Sequence, residues 1–277
     1  MNKQRSIAVI NDISGFGRCS ITVSLPILSS MKIQCGVIPT AILSNHTAYP
    51  DYTLLDFTPH MEAYIKMWQH MNFQFDGLYT GFLGAKEQIN IIKQFIADSN
   101  FSNIIVDPVM GDDGEIYDSY TPEMCEAMKK LVSCSTLTTP NVTELCILTD
   151  TPYHKNFSEG DIEDMCIKLH KNGAKQIVVT GFEQNGQLGN IVYEDGKFHV
   201  FYSHKILPLR PGTGDVFSSI MAACTLHNIH VFDGVKIAAE FIEKCLIKSA
   251  EMDIPINDGV CFEEYLETLL PALRTYL

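Results

Sequence analysis

The segment 210–219 reads Arg-Pro-Gly-Thr-Gly-Asp-Val-Phe-Ser-Ser, and it does more than any other stretch to decide the fold. Gly212 and Gly214 leave the backbone free to turn sharply, so that successive N–H groups can face one point. The apolar helical pattern that follows adds its positive dipole end, which suits an anion. Asp215 would lie beside that anion, where a carboxylate can take a proton from a hydroxyl that attacks phosphorus. The alternative is a glycine turn in which Asp215 only caps the helix.

Size, charge and cysteine content limit the classes of protein. The chain has 277 residues, of which 46% are hydrophobic and 19% charged, as expected of a soluble globular protein with a substantial core. The net charge of -13 argues against broad binding of nucleic acid or anionic membrane, although local amides and cations can still hold phosphates. Nine cysteines without a C-x-x-C pair indicate reduced thiols. No apolar run is long enough for a signal peptide or a transmembrane span, so we expect a cytoplasmic location.

Strand and helix patterns alternate along the chain. Apolar strand patterns occur at 7–10, 36–41, 77–80, 103–106, 137–139 and 176–180. Helical patterns occur at 86–97, 142–148, 215–226 and 233–248, and a hairpin pattern at 188–203. Such alternation predicts an α/β fold in which a mostly parallel sheet carries helices on both faces. We find no linker or repeat, which predicts one domain over residues 1–277.

Polar or glycine residues follow seven of the predicted strands, and in such sheets ligands bind beyond the carboxyl ends of the strands. These residues are Asp12, Ser44–Thr47, Thr80-Gly81, Asp107, Asn141, Thr180-Gly181 and Asp215. Turn chemistry alone does not explain so many of them at one edge, so we expect a ligand site there. His46 lies between two polar neighbours and is expected to make a polar contact.

Several of these residues have two interpretations. Asn141 and Glu144 lie three apart at a predicted helix start and share one face, where they could hold hydrated Mg²⁺ or form a helix cap. Asp107, before a proline, is more often a turn former than a ligand. The glycines at 15 and 17 suggest a dinucleotide fingerprint. We reject it because the third glycine, and an acidic residue at the end of the second strand, are absent.

Taken together, the motifs resemble those of the ribokinase-like superfamily and, within it, the pyridoxal kinase branch. Pro211–Asp215 is similar to the C-terminal signature of the superfamily. Four further segments match the branch in the same order: Ser-Asn-His-Thr-Ala-Tyr at 44–49, Thr-Gly-Phe-Leu-Gly at 80–84, Val-Asp-Pro-Val-Met-Gly-Asp at 106–112, and Thr-Pro-Asn-Val-Thr-Glu-Leu at 139–145. The first of these is the most specific to the branch.

The resemblance implies a three-layer sandwich and the ATP-dependent phosphorylation of the 5'-hydroxymethyl group of a vitamin B6 form. Asp215 would be the general base, and the amides of Gly212, Thr213 and Gly214 would bind the transferring phosphoryl group. The resemblance also suggests a homodimer. A flap around 45–59, which is polar and follows a strand, would close over the substrate and exclude water.

The same resemblance assigns three further groups of residues. Mg²⁺ and the ATP phosphates would be organised by Asp107, Asn141 and Glu144. ATP or an accompanying monovalent cation such as K⁺ would be contacted by Asp112, Tyr117, Thr139, Thr180 and Gly181. The substrate would be bound by Asp12, Ser44, His46, Thr47 and Phe82.

Two positions depart from the pattern of the branch. Asp12 stands where the familiar kinases have a serine near the ring, and Phe82 stands where they often have a tyrosine. A carboxylate at position 12 could favour a protonated ring nitrogen or a substrate amine, as in pyridoxamine or the aminopyrimidine alcohol of thiamine synthesis. A hydroxymethylpyrimidine kinase is therefore the nearest alternative. A sugar kinase fits less well, and a catalytically silent vitamin-B6-binding protein is the alternative outside the enzymes.

Overall fold

A nine-stranded sheet runs through the protein. The computed structural model describes residues 4–276. Their strands are β1 (Ser6–Ser14), β2 (Gln34–Leu43), β3 (Leu54–Asp56), β4 (Gly77–Thr80), β5 (Asn103–Val106), β6 (Gly111–Asp112), β7 (Glu115–Ile116), β8 (Leu137–Thr138), β9 (Gln176–Gln184), β10 (Gln187–Glu194) and β11 (Lys197–His204). The sheet has the order β11-β10-β9-β8-β5-β4-β1-β2-β3, while β6 and β7 pair separately as a small ribbon.

The strands from β9 to β2 in this order pair in parallel, which confirms the predicted mostly parallel sheet. At one edge β10 and β11 add in the antiparallel sense as the predicted hairpin, and at the other edge β3 pairs antiparallel with β2. Two-residue turns join β9 to β10 and β10 to β11, and the longer loop 44–53 joins β2 to β3, whereas each parallel neighbour needs a crossover.

Helices cover both faces of the sheet. They are α1 (Ile21–Ser30), α2 (Thr58–His70), α3 (Lys86–Asp98), α4 (Pro122–Val132), α5 (Val142–Thr149), α6 (Glu159–Lys171), α7 (Thr213–Leu226), α8 (Val231–Glu251) and α9 (Leu266–Arg274). Side chains alternate along β1, so that Ile7 and Val9 lie in the core beneath α1 and α7, while Ala8 and Ile10 lie in the core beneath α2–α6. The three layers are therefore those expected. None of the helices within residues 4–276 combines the length and hydrophobicity needed to cross a bilayer.

The end of the first strand and the segment expected to form a flap both differ from the sequence-based prediction. The first strand does not stop at Ile10 but runs to Ser14, because a register shift after Asn11 lets Ile13 and Ser14 pair with the end of β2. Within the expected flap 45–59, residues 54–56 form β3 and α2 begins at Thr58, which leaves 45–53 as a loop.

Candidate active site

The turn before α7 is held by close backbone contact with the segment before α1. Gly212 has φ +81°, and a β-carbon there would lie 1.8 Å from the carbonyl oxygen of Arg18. Only glycine accommodates both the dihedral and the contact. Gly214, by contrast, has open space around it. The turn delivers Asp215 into the first turn of α7, beside the positive end of the helix dipole.

Asp215 is half-buried and has three polar neighbours from the β1–α1 region. Burial raises the pKa of its carboxyl group to about 6, and the negative charge of Asp12 acts in the same direction. Hydrogen bonds from the Ser20 backbone and the Asn11 side chain oppose the rise, the latter over 3.2 Å from Nδ2 to Oδ1. A carboxylate with this pKa is ionised at neutral pH and basic enough to accept a proton.

Asp107 is a second buried carboxylate, at the carboxyl end of β5. Burial raises its pKa to about 8, and the negative charge of Asp215 adds to the rise. Hydrogen bonds from the hydroxyl groups of Ser218 and Thr139 lower the pKa, and the oxygens of these two hydroxyls lie 2.8 Å apart. When both are ionised, Asp107 and Asp215 repel each other, and a cation bound beside these carboxylates would reduce that repulsion.

Asn141 and Glu144 form a complete capping box at the start of α5. The backbone N–H of Asn141 donates to Oε2 of Glu144 over 2.8 Å, and the backbone N–H of Glu144 donates to Oδ1 of Asn141 over 2.9 Å. The other Glu144 oxygen accepts from the backbone of Met110 over 3.1 Å. Burial, then the charge of Asp107, raises the pKa of Glu144. Asn141 and Glu144 therefore do cap the helix, and the Glu144 carboxylate can still accept further hydrogen bonds or bind a cation.

The oxygen donors at this edge fit magnesium. The ion takes carboxylate oxygens and commonly keeps waters and substrate phosphates in its shell, so it needs few protein ligands. Within residues 4–276 no three acidic, histidine or cysteine side chains converge closely enough to hold a metal by themselves. Asp107 supplies a buried carboxyl group that a bound cation would help to ionise, and Asn141 and Glu144 lie at the start of the neighbouring helix α5.

The residues predicted to contact ATP lie around this helix start. Thr180 forms an isolated bridge with Asn141, and its N–H donates to the carbonyl of Pro140 over 2.9 Å. Gly181 next to it is exposed, with φ +74°. The β6–β7 ribbon carries Asp112, and its turn glycine, Gly114, donates from its N–H to the Thr143 hydroxyl over 2.9 Å. Tyr117 directly after the ribbon is exposed.

On the substrate side, Asp12 and Phe82 flank Asn11. Asp12 is buried and accepts a hydrogen bond from the Ser14 hydroxyl over 2.9 Å. Burial raises the pKa of its carboxyl group, while hydrogen bonds from Ser20 and Ser14 oppose the rise. Both backbone polar groups of Phe82 are hydrogen-bonded. Its N–H donates to the Asn11 side chain, and its carbonyl accepts from the Thr40 hydroxyl. Its ring is left half-buried.

His46 is placed differently from the other predicted substrate residues, because both of its ring nitrogens are engaged within the protein. Nδ1 accepts from the N–H of Ala48 over 3.2 Å, so Nε2 carries the proton and donates to the carbonyl of Asn257 over 2.6 Å. The ring lies 4.8 Å from that of Tyr49. His46 therefore anchors its loop to the segment after α8.

Thr47 and Ser44 lie in the same loop and are exposed. The Ser44 hydroxyl accepts from the N–H of Thr53 over 2.9 Å and donates to the Asn45 side chain over 2.7 Å. These bonds close the loop at its base. They occupy the hydroxyl group that the resemblance assigns to the substrate.

Two residues that the sequence reasoning did not single out support the site. Asn11 is fully buried and hydrogen-bonds to Asp12, Phe82 and Asp215. Arg210 is buried and donates to three backbone carbonyls, those of Ile254, Pro255 and Gly259. The sequence shows an arginine directly before the glycine turn, but it does not indicate that backbone carbonyl groups are its partners. The sequence pattern places Asn11 in a polar turn, which is why it was not singled out.

Comparisons with known proteins agree on one kind of enzyme. A family model described as phosphomethylpyrimidine kinase matches residues 34–258. The pyridoxine/pyridoxal/pyridoxamine kinase of Bordetella avium is 26% identical over 271 residues, which cover 88% of this chain and 86% of the relative. The thiamine biosynthetic bifunctional enzyme TH1 of Arabidopsis thaliana is 25% identical over 92% of this chain, which spans only 48% of that enzyme.

A solved structure is also similar over nearly its full length. It is a protein of Bacteroides thetaiotaomicron that is provisionally named phosphomethylpyrimidine kinase and was crystallised with pyridoxal. It matches with a TM-score of 0.93 at 32% identity, over 96% of this chain and 96% of its own. One relative is thus named for a vitamin B6 activity, while another carries the pyrimidine name and holds a B6 form.

Proposed function

Because the chain belongs to the phosphomethylpyrimidine kinase family, we propose that it transfers the γ-phosphoryl group of ATP to the hydroxymethyl group of a vitamin B6 form. The observation that carries the proposal is the position of Asp215. It lies in the first turn of a helix, after a glycine turn, with a pKa near 6. A carboxylate so placed can serve a hydroxyl that attacks a phosphate bound at the same helix end.

In the proposed reaction, Asp215 accepts the proton of the substrate hydroxyl as its oxygen attacks the γ-phosphorus. The new O–P bond forms while the bond between the γ-phosphorus and the bridging oxygen of ADP breaks, and ADP leaves with that electron pair. The amides of Gly212, Thr213 and Gly214 would face the transferring group. General-base assistance of this kind typically contributes about 10²–10⁴-fold, and positioning supplies much of the rest.

Magnesium, when bound with ATP, would neutralise charge on the phosphates. Asp107 would hold it, with Asn141 and Glu144 next to it, and a K⁺ ion could accompany the nucleotide. Asp112, Tyr117, Thr139, Thr180 and Gly181 are the residues proposed to face ATP. Support comes from the raised pKa of Asp107, since a buried carboxylate without a cationic partner has most to gain from a cation.

The substrate ring would lie against Phe82, whose half-buried ring offers an aromatic face. Asp12 is the second proposed determinant, because its carboxylate favours a protonated ring nitrogen or an amine on the substrate. We expect Asp12→Ser to change the ratio of specificity constants among pyridoxamine, pyridoxal and the aminopyrimidine alcohol. An unchanged ratio would remove Asp12 as a determinant.

A hydroxymethylpyrimidine kinase is the second candidate. It is favoured by the buried carboxylate of Asp12 and by the description of the matching family. A silent B6-binding protein is disfavoured, because a binder needs neither the base Asp215 nor the nearby carboxylates Asp107 and Glu144.

The experiment that tests the proposal is steady-state release of ADP with Mg-ATP and each of pyridoxal, pyridoxine, pyridoxamine, hydroxymethylpyrimidine and ribose. Turnover on a B6 form that collapses in Asp215→Asn would support the kinase and its base. Turnover on the pyrimidine alone would keep the mechanism and move the protein into thiamine synthesis. Binding of pyridoxal without turnover on any alcohol would overturn the kinase proposal.

A further inference from the structure

We propose that Asn11 is a positioning residue, whose side-chain amide joins the general base to the segment that holds the substrate ring. The inference rests on the proposed function, because it concerns how Asp215 is oriented toward a hydroxymethyl group. Asn11 is not expected to touch the reacting atoms. Its contribution would act through Asp215 and Phe82.

The hydrogen bonds of Asn11 determine which way its amide faces. Oδ1 accepts from the N–H groups of Phe82, over 2.8 Å, and Asp12, over 2.9 Å. Nδ2 donates to Oδ1 of Asp215 over 3.2 Å. With the amide reversed, an NH₂ group would face two N–H donors and an oxygen would face a carboxylate. The orientation is therefore fixed by all three partners.

The surroundings leave this amide no alternative position. Asn11 is completely buried, so water does not compete for its bonds. Gly81 packs against it so closely that a β-carbon at that position would lie 2.3 Å from Nδ2 and 2.5 Å from Cγ of Asn11. The glycine of the 80–84 segment is thus required to admit the Asn11 side chain.

The bridge connects two parts of the site that are distant in sequence. Phe82 follows β4 and Asp215 lies in the first turn of α7, and a single rigid amide group spans the gap between them. The Phe82 carbonyl is held independently by the Thr40 hydroxyl over 2.9 Å. A ring resting on Phe82 would therefore have its hydroxymethyl group at a set distance from the base, and small errors in such placement are costly.

Two substitutions distinguish the bond from Asn11 to Asp215 from the bonds that Asn11 accepts from Phe82 and Asp12. Asn11→Asp keeps the oxygen that accepts from Phe82 and Asp12 but turns a second oxygen toward Asp215. We expect kcat to fall by about 10–100-fold while KM for the alcohol stays within about threefold. Gly81→Ala displaces the whole amide, so that kcat should fall and KM should rise together. Asn190→Asp makes the same change at another buried asparagine, on β10, and should alter neither constant.

A measurement that does not depend on turnover completes the test. In the folded protein, the side-chain NH₂ resonance of Asn11, identified by its loss in Asn11→Asp, should shift in the Asp215→Asn variant. If the wild-type protein phosphorylates no alcohol, the proposed function fails. The resonance would then still show whether Asn11 is hydrogen-bonded to Asp215. An unmoved resonance, or a folded Asn11→Asp variant with kcat within about twofold of wild type, would overturn the inference.

Discussion

The phenol of Tyr49 donates a hydrogen bond of 2.5 Å to Oδ1 of Asp258, a residue 209 positions further along the chain. Together with the bond from His46 to the Asn257 carbonyl, it attaches the 45–53 loop to the segment after α8. The Asn257 amide returns a third bond to the carbonyl of Ala48. The loop expected to close over the substrate is thus held by a partner far away in sequence.

Removing the hydroxyl group of Tyr49 should loosen the loop. A hydrogen bond to a charged group contributes about 1.5–3 kcal/mol, so in Tyr49→Phe the amides of 46–53 should exchange with deuterium about 10–100 times faster. Tyr52→Phe is the matched control, because Tyr52 lies exposed in the same loop. Equal exchange in the two variants would show that the Tyr49 bond does not restrain the loop.

The glycine turn offers a second matched pair. Gly212→Ala forces a β-carbon against the Arg18 carbonyl at a positive φ, so we expect a clear drop in Tm and a loss of kcat/KM of about 100-fold or more. Gly214→Ala introduces no close contact, and its Tm should equal that of wild type. Thermal denaturation and steady-state kinetics check both. A Gly212→Ala variant as stable as Gly214→Ala would contradict the packing argument.

The acid limb of the pH–rate profile should report Asp215. The carboxylate must be ionised to accept a proton, and its pKa is about 6, so kcat/KM should level off above pH 6 and fall about tenfold per pH unit below it. Asp12→Asn removes a charge that raises this pKa. The midpoint should therefore move to lower pH, whatever the change in the plateau. A midpoint that stays or moves upward would assign the limb to another group.

Stability should decrease as pH rises, because of Asp107. Its pKa is about 8 in the folded protein against an ordinary value of 3.8, so the folded state holds a proton that the unfolded state releases. This contribution is complete below about pH 4 and is lost as pH rises through 8. The Tm of the ligand-free protein should drop by several degrees from pH 6 to pH 9. Asp107→Asn should flatten that slope, and Asp118→Asn, at an exposed site, should not.

Much of the sheet could be predicted from the sequence because its buried strands are continuous apolar runs. The bounds of β4 and β5 match the predicted 77–80 and 103–106. The hairpin is marked by an Asp-Gly turn in which both residues have positive φ. By contrast, β3 is an exposed edge strand of three residues, and the end of β1 is polar. β3 is too short to show a strand pattern although two of its residues are leucines, and the end of β1 lacks the apolar run on which such predictions depend.

The candidate site likewise contains some residues that the sequence predicts and others that it does not. The rule that ligands lie beyond strand ends brings Asp12, Asp107 and Asp215 to one edge, as the structure places them. It does not identify Asn11, because two of the three partners of this buried residue, Phe82 and Asp215, are distant in sequence and leave no local signature. Arg210 could not be assigned either, since its partners are backbone carbonyls, which carry no sequence code. The roles proposed for the charged residues remain predictions.

The three bonds of Arg210 bear on how the protein is made. A nascent chain that has emerged from the ribosome only as far as α7 already contains every side chain to which we assign a role in the chemistry. It still lacks the carbonyl groups of 254–259 that hold the glycine turn, and the Asn257 carbonyl that His46 uses. The glycine turn therefore acquires its final shape only after residues 254–259 have been made, and a chain truncated after α8 would fold without the carbonyl groups that hold the turn.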